Sequence, residues 1–267
     1  MFKIGSSSEL LRNYSLQEAT IIFSALGYDV VELWMGHFYK SNLKATEIKS
    51  LMKNNNLDFQ IHADVRDVNL TSTNQGIRDE SLKQMLETIE LASEMEAPVV
   101  TLHPGRMSSS KDLPDDFWEL QLDMFSKIAS HAEKYGVNVG VENMEKRSKE
   151  FVVTLNDVTK LIRGVNSSHL GLTMDLAHYH SIGDVKTFVQ QVDLPIMNVH
   201  ISQAAPGKMH LPFSAQTEDT INFDEVLPEL IKKYQGPLII EGYVHGKELE
   251  TVKENYQWLS QCMELCK

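Results

Sequence analysis

Cysteine is nearly absent from this chain: Cys262 and Cys266 are the two in 267 residues, four apart in a stretch with helical periodicity. That spacing sets both thiols on one helix face. It excludes a zinc ribbon or a disulfide-stapled fold, and the expectation is reduced thiols in a cytoplasmic protein. No apolar run approaches the roughly 20 residues that cross a bilayer. The opening Met1-Phe2-Lys3-Ile4-Gly5 lacks the charged and apolar regions of a signal peptide. Excess positive charge is missing too. A formal net charge of −12 opposes a nucleic-acid surface over most of the protein, though a local basic rim could still bind DNA. There is no low-complexity segment and no linker rich in Pro or Ser.

Hydrophobic residues make up 42% of the chain and charged residues 23%, as in an ordinary soluble globular enzyme. Six short apolar runs end in a side chain able to bind metal. They are Phe59-Gln60-Ile61-His62, Val99-Val100-Thr101-Leu102-His103, Val139-Gly140-Val141-Glu142, Leu172-Thr173-Met174-Asp175, Met197-Asn198-Val199-His200 and Leu238-Ile239-Ile240-Glu241. Each reads as a buried strand meeting its loop. A carboxylate or imidazole at such a place needs a partner. One such histidine is compatible with a satisfied core residue. Six in series imply one shared polar centre, which a divalent metal would hold together.

Strand-like and helix-like segments alternate about eight times, the pattern of a parallel βα architecture. Strands are expected near 2–7, 29–35, 57–63, 98–103, 137–142, 170–175, 196–201 and 237–242. Helices are expected near 16–26, 45–55, 80–96, 115–135, 155–164, 184–192, 223–234 and 247–264. The clearest repeats Leu82, Met85, Leu86, Ile89 and Ala92 at helical spacing. Gly27, Gly136 and Gly236 each stand where a helix would end in a left-handed residue. The stretch 202–220 has no clear period and is expected to be a loop over the site.

These units predict an α/β fold, a single (β/α)8 TIM barrel over residues 1–267. A doubly wound open sheet is the alternative. It places a glycine-rich phosphate loop after its first strand, and Gly5-Ser6-Ser7-Ser8 does not match that pattern. In a barrel all strand carboxyl ends meet on one face. The six terminal ligands would therefore converge.

Glu142, Asp175, His200 and Glu241 make an oxygen-rich set suited to Zn, Mn, Co or Mg rather than a thiolate-type structural zinc. His62 and His103 could hold a second ion with Glu142 bridging, for one to two ions in all. His178 and His210 could complete a further site or contact substrate. His131 and His169 read as surface residues. Glu32 and Trp34 alternate on the second strand: Glu32 is expected to face the barrel interior or its mouth, and Trp34 to stack on a sugar or pack in the core. Asn143 is expected to orient Glu142.

The chain resembles the xylose-isomerase-like barrels, which include sugar isomerases, sugar epimerases and endonuclease IV. The resemblance is carried by His62-Ala63-Asp64 with Val68-Asn69-Leu70-Thr71-Ser72, and by Leu102-His103-Pro104-Gly105. It continues through Val141-Glu142-Asn143-Met144, Met174-Asp175-Leu176-Ala177-His178, Val199-His200-Ile201, His210-Leu211-Pro212 and Ile240-Glu241-Gly242. In the isomerase branch, residues matching Glu142, Asp175, His200 and Glu241 bind one divalent metal, and the two glutamates also act as acid and base. In endonuclease IV, residues matching His62, His103, Glu142, Asp175, His178, His200, His210 and Glu241 hold three zinc ions with one further Asp. Lys208 stands where that Asp would be, and a Lys cannot replace a carboxylate ligand. The Gly-Glu-Gly turn frequent after the loop's His-Leu-Pro is replaced by Phe213-Ser214-Ala215-Gln216.

The resemblance implies a metal-dependent isomerase or epimerase that moves a proton through an enediolate on a small sugar-like hydroxy-carbonyl compound. Glu142 and Glu241 would be catalytic, with His103 and His178 touching substrate oxygens. A dehydratase on a cyclic hydroxy-ketone would share that chemistry. Two alternatives belong to other classes: a zinc phosphodiesterase acting on abasic DNA, and a non-catalytic metal- or ligand-binding barrel. DNA distortion would call on wedges such as Arg66 or Arg106, which read here as surface charges.

Overall fold

In the computed structural model, which describes residues 2–265, eight parallel strands close into a barrel. They are β1 (Ile4–Ser7), β2 (Val30–Trp34), β3 (Asp58–His62), β4 (Val99–Leu102), β5 (Asn138–Glu142), β6 (Leu170–Asp175), β7 (Ile196–Ile201) and, after a hairpin, β10 (Leu238–Ile240). Neighbours in the ring follow chain order. The ring shuts where β1 pairs with β10, Ile4 opposite Leu238. Every expected strand is present, because apolar runs flanked by helices bury both faces of a parallel sheet. The fold is a (β/α)8 TIM barrel, as expected. Cys266 lies outside the described residues.

Local chemistry sets the helix ends. Ser15 and Glu18 form a capping box at the start of Leu16–Leu26, and Gly27 ends that helix at φ 95°. Gly136 does the same after Trp118–Tyr135, at φ 67°. Gly236 does not. The helix Phe223–Lys233 stops at Tyr234 in an extended conformation, and Gly236 is needed instead because a Cβ there would strike the Tyr234 ring. The helix expected from residue 80 begins earlier, at Gln75, because Asn74 Oδ1 accepts from the amides of Gly76 and Ile77.

Between helices and barrel lies an apolar shell that includes Phe23, Phe125 and Phe188, all without solvent exposure. Truncating such a ring to Ala costs about 3–5 kcal/mol. The segment 202–220 is more ordered than a loop. It contains an antiparallel ribbon, β8 (Gln203–Ala205) with β9 (Lys208–Leu211), and a 3-10 turn at Phe213–Ala215. Gln203, wholly buried, pins the ribbon by accepting from the Ile221 amide at 2.8 Å. Among the described residues, no helix is long and apolar enough to cross a membrane.

Candidate metal centre

The strands deliver their ligands to one end of the barrel. His62, Glu142 and Asp175 are the last residues of β3, β5 and β6, and His200 is the penultimate residue of β7. His103 and Glu241 follow β4 and β10 directly. Asp175 and His200 are paired across β6 and β7, so their side chains project side by side. Asp175 also caps the turn Leu176–His180: its Oδ1 accepts from the His178 amide at 2.7 Å. That leaves Oδ2 facing the cluster.

Glu142 is the pivot of the arrangement. Its Oε1 lies 3.3 Å from His200 Nδ1, which is also 3.3 Å from Glu241 Oε2 and 3.8 Å from Asp175 Oδ2. Its Oε2 lies 3.0 Å from His103 Nε2 and 3.4 Å from His62 Nε2. One carboxylate thus serves two clusters. A third brings together Asp175, His178 and His210, with His178 Nε2 3.1 Å from His210 Nε2.

Donors bound to one ion at about 2.0–2.1 Å, with angles of about 90–110°, stand roughly 3.0–3.4 Å apart. Most of the separations around His200 and Glu142 fall in that range. Glu142 Oε2 and Asp175 Oδ2 are buried with no aligned hydrogen-bond donor, an arrangement that is costly unless a cation completes it. The residues therefore fit a divalent ion.

Electrostatics separate the groups. Burial works against ionising Glu142, but His103 and His200 outweigh it and hold its pKa well below the usual carboxylate range. Burial and the charge of Glu142 push Asp175 and Glu241 upward. Burial also disfavours a charged His178, yet Asp175 and Glu142 overcome it and raise its pKa to about 10. His210 is driven down to about 3 by burial and by His178.

Of the two placements open to Glu32, the structure has the barrel interior: it is fully buried, with Oε1 2.9 Å from His200 Nε2, and has no surface to offer a substrate. The expectation for Asn143 is corrected, since it does not touch the Glu142 carboxylate. It exchanges two 2.9 Å bonds with the backbone of Asp175, and its carbonyl lies 2.9 Å from His178 Nδ1. Trp34 stacks one face on His62, with centroids 4.2 Å apart, and is partly exposed. His103 keeps 27% side-chain exposure and His178 only 5%, so His103 is the better placed of the two to meet a ligand. His131 pairs with Glu90 on the helical shell, and His169 reaches the Val137 carbonyl at the far end of the strands. Arg66 is tied to Glu9 at 2.5 Å.

Sequence reasoning missed two features. Glu145, three residues after Glu142, is buried, with Oε2 3.4 Å from His178 Nε2. A layer of buried polar side chains, Gln60, Thr101, Thr173 and Asn198, also lies beneath the ligands. Each precedes a ligand by two residues, and period-2 alternation sends both to the same face. That signal was present in the sequence.

A cavity of about 270 Å³ opens beside the centre, lined by Ser7, Leu10, Trp34, His210, Glu241 and Tyr243, among others. A larger one of about 820 Å³ lies at the amino ends of the strands, near Lys3, Asp58 and Pro237. Barrel chemistry sits at the carboxyl ends, so the smaller cavity is the relevant one.

The family model for the xylose isomerase-like TIM barrel matches residues 22–262. The chain belongs to that family. An uncharacterized protein of Methanocaldococcus jannaschii is 26% identical over 98% of this chain and 90% of its own length. A probable endonuclease 4 of Mycobacterium leprae is 23% identical over 83% of this chain and 88% of its own. Among solved structures, a D-tagatose 3-epimerase-like protein superposes with a TM-score of 0.86 at 25% identity, covering 99% of this chain and 98% of that one. An L-ribulose 3-epimerase does so with a TM-score of 0.85 at 17% identity, covering 100% and 96%.

Proposed function

We propose that this barrel is a metal-dependent isomerase or epimerase acting on a small, sugar-like hydroxy-carbonyl compound. The carrying observation is that Glu241 belongs both to the donor set Glu142–Asp175–His200–Glu241 and to the wall of the 270 Å³ cavity. A molecule filling that cavity meets the centre. The similarity to a D-tagatose 3-epimerase-like structure supports the same class.

Those four residues would hold a zinc, manganese, cobalt or magnesium ion, which would supply Lewis acidity toward a carbonyl and its neighbouring hydroxyl. The two glutamates divide the proton work, one at each face of the substrate: one takes a proton from the carbon beside the carbonyl, leaving an enediolate, and the other returns one to the opposite face. Trp34 and Tyr243 line the cavity and offer flat surfaces to the sugar, and His103, with 27% of its side chain exposed, stands beside Glu142.

Deuterium exchange tests this directly. The metal-loaded protein is incubated with ketopentoses and ketohexoses in D2O and followed by proton NMR. Loss of the signal at the carbon beside the carbonyl is the expected result. Absence of exchange on every sugar, with metal bound, overturns the reading.

A second reading, a zinc phosphodiesterase, is favoured by one observation: His62 and His103 converge on the second oxygen of Glu142. The endonuclease 4 relatives point the same way. Against it stands Lys208, whose side chain is exposed on β9, away from the role of a ligand.

A further inference from the structure

We propose that Glu32 is a positioning residue of the metal centre, acting through His200: it holds the proton of that ring on Nε2 and so aims Nδ1 at the ion. The inference rests on reading the cluster as a metal centre.

Glu32 lies in the middle of β2, one layer below the ligands, with no exposed surface. A TIM barrel interior is normally packed with branched apolar side chains, and a lone carboxylate there is expensive unless it is surrounded by donors. Donors surround it. Oε2 accepts from Gln60 Nε2 at 2.8 Å and from Asn198 Nδ2 at 2.7 Å, with the Thr101 hydroxyl at 3.4 Å. Oε1 has none of these. It has no aligned donor at all, and its near neighbour is His200 Nε2 at 2.9 Å.

A carboxylate oxygen and a ring nitrogen at 2.9 Å repel unless a proton lies between them. Asn198 Nδ2, with two hydrogens, stands near three atoms that can accept: Glu32 Oε2 at 2.7 Å, the Thr101 hydroxyl at 3.0 Å and His200 Nε2 at 3.0 Å. Turning the Asn198 amide over would set its oxygen against Glu32. Nδ1 of His200 is the atom facing Glu142, Asp175 and Glu241. An ion on the Nδ1 side would take the lone pair there, so the proton of the neutral ring would belong on Nε2, 2.9 Å from Glu32 Oε1. A ring tied through its far nitrogen to a carboxylate is also a more basic ligand, and losing such a partner typically lowers metal affinity by about 10–100-fold.

The experiment measures zinc affinity by chelator competition in the full chain, in wild type, Glu32→Gln, His200→Ala and the double variant. Glu32→Gln is expected to weaken zinc binding by about 10–100-fold. In the His200→Ala background, the same change is expected to add almost nothing, because Glu32 acts through that ring. Unaltered affinity in a folded Glu32→Gln protein overturns the proposal, and so does an equal further loss in the double variant. If Glu32→Gln does not fold, nitrogen NMR of the zinc-loaded wild-type ring decides: a proton on Nε2 of His200 supports the proposal and a proton on Nδ1 overturns it. If wild type binds no zinc, the metal-centre reading falls and this inference falls with it. If wild type binds zinc and Glu32→Gln changes nothing, only the role of Glu32 is lost.

Discussion

His178 and His210 meet nitrogen to nitrogen, Nε2 to Nε2, at 3.1 Å. Two ring lone pairs that close repel, so a proton or a cation lies between them. In the metal-free protein the proton sits on His178, whose pKa stands near 10 although burial opposes it. His210 is reached by a strained backbone, a non-glycine residue at φ 51°, a conformation that costs roughly 1–3 kcal/mol and that clusters at functional sites.

Alkali should destabilise the metal-free protein through this pair. The pKa of His178 is raised on folding, so its contribution is complete below the unfolded value of about 6.5. It is lost as pH climbs through the folded value of about 10. Calorimetry of chelated protein from pH 7 to 10 should show a falling Tm. In His178→Gln the fall should be shallower. Equal slopes in the two proteins would contradict the assignment.

Metal content follows from the shared donor set. Protein purified without chelator is expected to carry close to one or two equivalents of zinc, manganese or cobalt by elemental analysis. The Glu142→Ala, Asp175→Ala double variant should carry far less, because Glu142 serves two clusters. Chelation should lower the Tm of wild type, since an ion bound only by the folded state stabilises it. Unchanged metal content in the double variant sinks the site.

Glu241→Gln keeps the shape of the side chain and removes its acid. Solvent exchange on a responsive sugar should fall by about 10²–10⁴-fold, with the far-UV spectrum unchanged. His131→Ala, out on the helical shell beside Glu90, is the control and should be neutral. Near-wild-type exchange in metal-loaded Glu241→Gln would remove Glu241 from the proton path.

Duplex DNA carrying an abasic site should be cut poorly, given a net charge of −12 and Lys208 where the resemblance to endonuclease IV implies a carboxylate ligand. Efficient zinc-dependent incision would favour the phosphodiesterase. Lys208→Asp refines the test. A further tightly bound zinc in that variant would show that this one charge denies the extra site. No gain would place the cause in the rest of the ribbon.

Most of this was written plainly in the sequence. Apolar runs ending in His, Asp or Glu mark both the strands and the face on which they end, so barrel and donor set are read together. The ribbon at 203–211 escaped because two strands of three and four residues, joined at Pro206-Gly207, show too little alternation to register. Gly236 looked like a helix cap because spacing alone does not distinguish a left-handed turn from room for the Tyr234 ring. Glu32 was visible as a charge in an apolar strand. Its partner His200 lies far along the chain, and only barrel closure brings the two together.

Glu241 directly follows β10, the strand that closes the ring on β1, while the other ligands of its set come from β5, β6 and β7. A growing or refolding chain can therefore assemble Glu142, Asp175 and His200 before the last strand inserts, but it holds an incomplete cage until β10 slides between β7 and β1. The rate at which a refolding sample takes up zinc should then report the insertion of that final strand, a late event, rather than the early collapse of the apolar shell.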